Sequence, residues 1–344
     1  MKNITIKDIA KICGVGVSTV SRALNNHPDI NPETKERIME TVEKYDFIPN
    51  NSARNLKLTD SKTIAVLEKG ASNPFFMRMI GAMDSDIQSN HYFMELRQVS
   101  EETDEVEVAL ELVKAKKLKG IIFLGGLTNH SPEKLENLGV PFVLCTVCPN
   151  KEYDGAYASI SVDDVTESYK MVDFLIKKGH KRIAIIGAPE TDTSIGQQRL
   201  LGYIKALKDN QIEIDDRLIW YTSGNVDTYS MENGYNITRK MLTEGRECTA
   251  VYAISDTIAI GAIRALHEAG KSVPEDVSVA GFDGIDLGQF HVPSITTIKQ
   301  PFDDMAHKTI KMLFDMILND EKPQKIIMDG ILTERESVQL KMNS

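Results

Sequence analysis

Apolar positions change rhythm along the chain. Over TIKDIAKICGVGVSTVSRAL they recur at helical spacing, with Ile6, Ile9 and Ala10 on one face and Val20, Ala23 and Leu24 on another. Gly14 lies between the two runs, where a left-handed backbone reverses the chain without steric cost. Ala10 is small where two helices must cross closely. This is the spacing of a helix-turn-helix. Asn31-Pro32 opens a third helix, whose stripe of Ile38, Val42 and Tyr45 closes a small core that the first two cannot bury alone.

The next stretch, IPNNSARNLKLTD, has too few apolar residues for a core helix and too little Gly and Pro for a flexible linker. From Thr63 onward short apolar runs alternate with amphipathic segments. TIAVL, YFMEL, GIIFL, PFVLC, RIAIIG, AVYAIS and VSVAGFDG are candidate strands; PFFMRMIGAMDSDIQSN and SDTIAIGAIRALHEAG are candidate helices. Continuous apolar strands between helices predict parallel sheets covered on both faces. The run is too long for one sheet of ordinary size, so two doubly wound lobes are expected, with a ligand crevice at the carboxyl ends of their strands.

Charge sharpens the contrast between the two parts. The chain carries 40 Lys and Arg against 50 Asp and Glu, a net charge of −10. The deficit belongs to the body, whereas Lys2, Lys7, Lys11 and Arg22 face Asp8 alone in the first twenty-five residues. An acidic body with a locally basic head suits a protein that meets phosphates at one end. In a helix-turn-helix the start of the second helix meets base edges in the major groove. Ser18 can donate or accept a hydrogen bond there, Val17 can touch a thymine methyl, and Arg22 can grip a guanine edge. Thr5, Thr19 and Ser21 are candidates for phosphate contacts, which position without specifying.

Other chemistries find little support. No apolar run approaches the ~20 residues of a membrane span, and MKNITIKDIAKICGV lacks the apolar core of an export signal, so a cytoplasmic location is expected. Cys13, Cys145, Cys148 and Cys248 read as reduced structural thiols, because the Cys145–Cys148 pair has no second ligand pair. No strand leads into GxGxxG or a P-loop, and HExxH, GxSxG and metal-ligand clusters are missing. His180 ends a helix, where it caps carbonyls. Neither catalysis nor a cofactor or metal is expected.

TIKDIAKICGVGVSTVSRALN followed by YDFIPNNSARNLK resembles the head of the lactose-repressor family of bacterial transcription regulators, and the resemblance continues over nearly the whole chain. It implies a helix-turn-helix domain at 1–48, a hinge helix at 49–61, and an effector-binding and dimerisation body at 62–344 built like the periplasmic sugar-binding proteins. Lobe 1 would span 62–160 and 291–322, and lobe 2 would span 161–290 and 323–344, with crossings near Ser161, Phe290 and Pro323. In the family the hinge folds when dimer and operator are both engaged. Leu56 would then wedge into the minor groove, Ala53 would pack against its mate, and Asn50, Arg54 and Lys57 would reach the groove or backbone. An isolated helix this short is unstable in water, which suits an order–disorder switch.

The resemblance also implies effector residues. Arg199 in QQRLLG and Asp283 in GFDG match groups that hold sugar hydroxyls, Tyr229 matches a stacking aromatic, and Asn73 and Phe75 line the opposite lobe. Asp256 is retained in SDTIAIG, but Ser255 replaces an amide that often binds ligand. Glu167-Ser168 replaces a glycine pair, and Gly16 replaces a phosphate-contacting serine. The expected protein is a dimeric repressor that binds a palindromic operator under control of a small effector, a sugar by preference. A regulator gated by a phosphorylated carrier protein and a purine-type regulator dependent on a co-repressor are the alternatives. RESVQLKMNS has no apolar heptads, which argues for a dimer over a coiled-coil tetramer.

Overall fold

The computed structural model describes residues 4–24, 29–45, 47, 62–70, 73–100, 102–126, 130, 132–147, 157–223 and 227–341. Contacts divide the chain into two compact units, Met1–Ser61 and Lys62–Ser344.

Among the described residues, the first unit contains three helices, α1 (Ile6–Ile12), α2 (Val17–Leu24) and α3 (Pro32–Lys44). A capping box opens α1: the Asp8 amide donates to Thr5 Oγ1 at 3.4 Å, and the Thr5 amide donates to Asp8 Oδ2 at 2.8 Å. Gly14 adopts φ +64° in the turn to α2. The Asn31 side chain caps α3 by accepting from the amides of Glu33 and Thr34 at 2.9 and 3.2 Å, with Pro32 in the first turn. Ile9, Ala10, Val20, Ala23 and Ile38 close a core with Cys13 and Phe47. Tyr45 departs from the predicted stripe: it is the C-cap of α3 and 45% exposed, because the helix ends there, while Phe47 is buried. Truncating Ile38 to Ala would cost this small core about 2–5 kcal/mol.

The second unit holds two six-stranded sheets. The first contains β1 (Thr63–Lys69), β2 (Phe93–Val99), β3 (Leu118–Leu124), β4 (Phe142–Cys145), β5 (Ala158–Val162) and β11 (Lys325–Met328), in the order β11-β5-β4-β3-β1-β2 and parallel throughout. The helices α4 (Pro74–Ser89), α5 (Glu105–Ala115), α6 (Pro132–Glu136) and α12 (Phe302–Asn319) accompany it. The second contains β6 (Ile183–Gly187), β7 (Ile219–Tyr221), β8 (Ala250–Ala253), β9 (Ser278–Asp283), β10 (Thr296–Lys299) and β12 (Ile331–Thr333), in the order β12-β10-β9-β8-β6-β7. Only β12 runs antiparallel to its neighbour in this sheet. The helices α7 (Asp164–Lys177), α8 (Ile195–Asp209), α9 (Met231–Thr243), α10 (Asp256–Glu268) and α11 (Asp286–Phe290) belong with it. Central strands such as β5, β6 and β9 are buried at every position, as two-sided coverage requires.

The chain crosses between sheets after Val162, between Lys299 and Phe302, and between Met328 and Ile331. The first falls beside the crossing expected near Ser161; the other two correct those expected near Phe290 and Pro323. β10 had been placed in lobe 1, yet it pairs with β9; β11 had been placed in lobe 2, yet it pairs with β5. Phe290 ends α11 and Pro323 lies just before β11, so both mark loops rather than a change of lobe.

Candidate functional site

In the first unit, α2 turns Val20 and Ala23 into the core. Helical periodicity then leaves Val17, Ser18 and Arg22 exposed, with Thr19 and Ser21 half-buried beside them. The exposed start of α2 therefore offers a methyl-bearing side chain, a hydroxyl and a guanidinium, a set that can read base edges. The Thr5 hydroxyl donates to Asp8 Oδ2 at 2.6 Å and so builds the end of α1, while remaining at the surface. The predicted hinge residues Asn50, Ala53, Arg54, Leu56 and Lys57 lie outside the described residues, as does Cys148.

In the second unit, a cavity of about 270 Å³ lies where the carboxyl ends of both sheets face each other. From the first sheet it takes Lys69 at the end of β1, Gly125 and Gly126 after β3, Thr146 after β4, and Asn73, Phe75 and Phe76 from the start of α4. From the second come the loop after β6, Arg199 of α8, Tyr229 before α9, Asp283 at the end of β9 and Gln300 after β10.

Arg199 and Asp283 form its polar floor. The Arg199 side chain is 3% exposed; Nε donates to Asp164 Oδ1 at 2.8 Å, Nη1 donates to the Ile254 carbonyl at 2.5 Å, and Nη1 lies 3.5 Å from Asp283 Oδ1. Its guanidinium carbon sits 3.7 Å from the centre of the Phe282 ring. Burial raises the Asp164 carboxyl to about 6, the nearby guanidinium holding it back from going higher. Burial also raises Asp283, against the pull of Arg199 and of hydrogen bonds from Asn73 and Gln300. Those bonds run from Asn73 Nδ2 to Asp283 Oδ2 and from Gln300 Nε2 to Asp283 Oδ1, each at 2.9 Å. Asn73 thus ties the two lobes directly, while its Oδ1 caps α4 through the Phe75 amide at 3.0 Å. Phe75 is 4% exposed and packs edge-on against Phe302 at 6.2 Å.

Asp283 adopts φ +106°, a backbone that a residue with a side chain rarely takes. Asp256 stabilises it from below: Asp256 Oδ2 accepts from the amides of Gly284 and Ile285, both at 2.8 Å. Burial, reinforced by the charge of Asp283, raises the Asp256 carboxyl to about 8. Asp256 and Ser255 were expected to touch the effector, but neither lines the cavity, and both are fully buried. The first turn of α10 points beneath β9, so Ser255 caps that helix by accepting from the Ile258 amide at 3.2 Å. Tyr229 does line the cavity. Its hydroxyl is buried and has no hydrogen-bond partner among the described residues, and burial raises its value so that the proton stays on.

Of the predicted effector residues, Asn73, Phe75, Arg199, Tyr229 and Asp283 are brought together. Lys69, Asp164, Asp192 and Gln300 were missed. Lys69, Asp164 and Gln300 are polar residues at or just past the end of an apolar strand, which in a doubly wound sheet is a positional signal. Ser168, one half of the anomalous Glu167-Ser168 pair, donates to the Arg199 carbonyl at 2.6 Å. His180 is buried, with Nε2 3.2 Å from the Gln339 carbonyl and Nδ1 3.1 Å from Thr249 Oγ1, a structural setting. Burial raises the Cys145 thiol to about 12, away from reactivity. Asp104, Glu105 and His130 converge, but Lys69 and Lys134 already engage the two carboxylates.

A helix-turn-helix head and a two-lobed body with a polar cavity define a DNA-binding regulator with a ligand-binding domain. The description "bacterial regulatory proteins, lacI family" matches residues 5–50, and "periplasmic binding protein-like domain" matches residues 172–338. The chain is 41% identical over 335 residues to the HTH-type transcriptional regulator MalR of Clostridium butyricum, covering 96% of this chain and 98% of that one. It is 30% identical over 315 residues to the repressor CytR of Escherichia coli K12, covering 91% and 89%. A CelR–cellobiose complex matches with a TM-score of 0.70 and 25% identity over 97% and 99% of the two chains. A ribose-bound regulator from Enterococcus faecium matches with a TM-score of 0.71 and 28% identity over 82% and 100%. The chain belongs to the lacI family of bacterial transcription regulators.

Proposed function

We propose that this chain is a cytoplasmic, dimeric repressor that reads a palindromic operator through α2 and releases or grips it according to a sugar held between its lobes. The observation that carries the reading is the composition of the cavity: a buried guanidinium, a carboxylate, two side-chain amides, a tyrosine hydroxyl and phenylalanine rings converge from both sheets. Planar polar groups backed by aromatic faces suit a polyol. Sugar-bound relatives, one with cellobiose and one with ribose, support the same class.

The geometry supplies a route for coupling. Asn73 of the first lobe holds Asp283 of the second. A carboxylate offers about four acceptor positions, and Asn73 and Gln300 each take one on Asp283, with Arg199 beside Oδ1. A sugar hydroxyl donating to Asp283 Oδ2 shares that oxygen with the Asn73 amide, which alters the bridge between lobes. β1 starts immediately after the predicted hinge segment, so movement of the first lobe is felt there along the chain. Coupling of this kind amounts to about 1–3 kcal/mol.

The DNA half is tested by selection. The purified protein, incubated with a random-sequence duplex library, should recover an inverted repeat whose half-sites are spaced by whole helical turns. Recovery of no preferred sequence, or of a single asymmetric site, contradicts the reading.

A further inference from the structure

Resting on the sugar reading, we infer that the effector is a neutral sugar, and that the cavity is built to reject its phosphate and carboxylate derivatives. The inference comes from where the chain has already placed its own charges.

Two cations border the cavity among the described residues, Lys69 and Arg199. Both are committed. Arg199 is held by Asp164, by the Ile254 carbonyl and by Asp283. Lys69 Nζ donates to Glu105 Oε2 at 2.8 Å and to the Thr103 carbonyl at 2.9 Å, with side-chain exposures of 10% for Lys69 and 3% for Glu105. His130 stands behind this pair with its ring nitrogens toward Glu105 and Asp104, so its charge, when present, is matched as well.

Helix starts are the other usual seats for an anion, through amide groups and the helix dipole. α8 and α4 both point their first turns at the cavity. At α8 the seat is filled by a carboxylate of the chain itself: Asp192 Oδ2 accepts from the Gln197 amide at 2.9 Å, and Asp192 Oδ1 accepts from Ser194 Oγ at 2.6 Å. No described cation pairs with Asp192. At α4 the Asn73 side chain fills the same place. An incoming phosphate would meet Asp192 and Asp283 with no uncommitted cation to offset them. What the cavity offers is the Tyr229 hydroxyl, buried and without a partner among the described residues, which is a neutral donor and acceptor suited to a neutral hydroxyl.

The test is calorimetric titration of the full-length protein with a panel of neutral mono- and disaccharides, including ribose and cellobiose, each paired with its phosphate monoester. Every neutral sugar that binds should do so at least tenfold more tightly than its ester. Asp192→Ala, which empties the seat at α8, and Glu105→Gln, which removes the negative charge paired with Lys69, should each narrow that gap. A parent protein that holds the ester as tightly as the neutral sugar, or more so, overturns the inference and leaves the sugar reading standing. A parent that binds no member of either set overturns the sugar reading and the inference with it. The parent comparison stands alone should either variant fail to fold.

Discussion

Asp256→Asn isolates the carboxyl that supports the effector floor from beneath. In the folded chain this group keeps its proton up to about pH 8, against an ordinary value of 3.8. The folded state therefore binds the proton more tightly than the unfolded state, and stability declines as pH rises through that window. Each pH unit in the window costs about 1.4 kcal/mol, so the whole span amounts to roughly 6 kcal/mol. At pH 7 the penalty is about 4 kcal/mol by the same arithmetic. Asn has no proton to hold, and its Oδ1 can accept from the Gly284 and Ile285 amides as Asp256 does now. The new NH₂ would face Thr297, and a poorly placed buried donor costs about 1–3 kcal/mol. The net expectation is a gain of about 1–3 kcal/mol at pH 7 that levels off above pH 8 and turns into a loss of about 1–3 kcal/mol near pH 4, where only the cost of the new donor remains. Guanidinium unfolding of parent and variant across that range measures it, and sugar affinity should stay within a few fold because Asp283 keeps its support. A variant less stable than the parent at pH 7–8, or a difference that does not grow with pH, would refute the account of Asp256.

Three further outcomes are expected. Arg199→Ala should remove the sugar response and cost about 3–5 kcal/mol in a denaturant titration, because Asp164 and Asp283 are left buried without their cation; an unchanged response to sugar would mean the site is wrongly assigned. Arg22→Ala should lose about 1–3 kcal/mol of discrimination at one base pair in each half-site, and a uniform loss across sequences in a binding assay would assign Arg22 to phosphate instead. Burial lowers His180 below its ordinary value of 6.5, so the folded chain refuses a proton that the unfolded chain takes. Stability should accordingly fall with acidification below that value in the parent, and His180→Gln should weaken the decline.

Sequence patterning revealed the head almost completely, because its helices are short, capped by local residues and organised around one stripe each. The long apolar strands of the body were equally plain. What escaped were β5, β7, β10, β11 and β12, which are short, carry Ser or Thr as in ASISV and TTIK, or lie at sheet edges as KIIM and ILT do. β10, β11 and β12 carry the two later crossings between lobes, which is why those boundaries were misplaced while the first, after β5, was not. At the site, motif matching brought Arg199, Asp283, Tyr229, Asn73 and Phe75 to one cavity. It misjudged Ser255 and Asp256, since a motif gives a residue's neighbourhood and not the direction of its side chain. Lys69 and Asp192 carry no motif, and their roles come from partners distant in sequence or from a local helix start.

The central claim is that occupancy of the interlobe cavity sets the grip on DNA. Its most direct test is the affinity of the purified protein for its selected inverted repeat, measured by fluorescence anisotropy across a titration of the tightest-binding sugar, in the parent and in Arg199→Ala. The parent's affinity should change by about 5- to 150-fold at saturating sugar, and the variant's should not move. A parent whose affinity for DNA is the same with the cavity full or empty would contradict the claim.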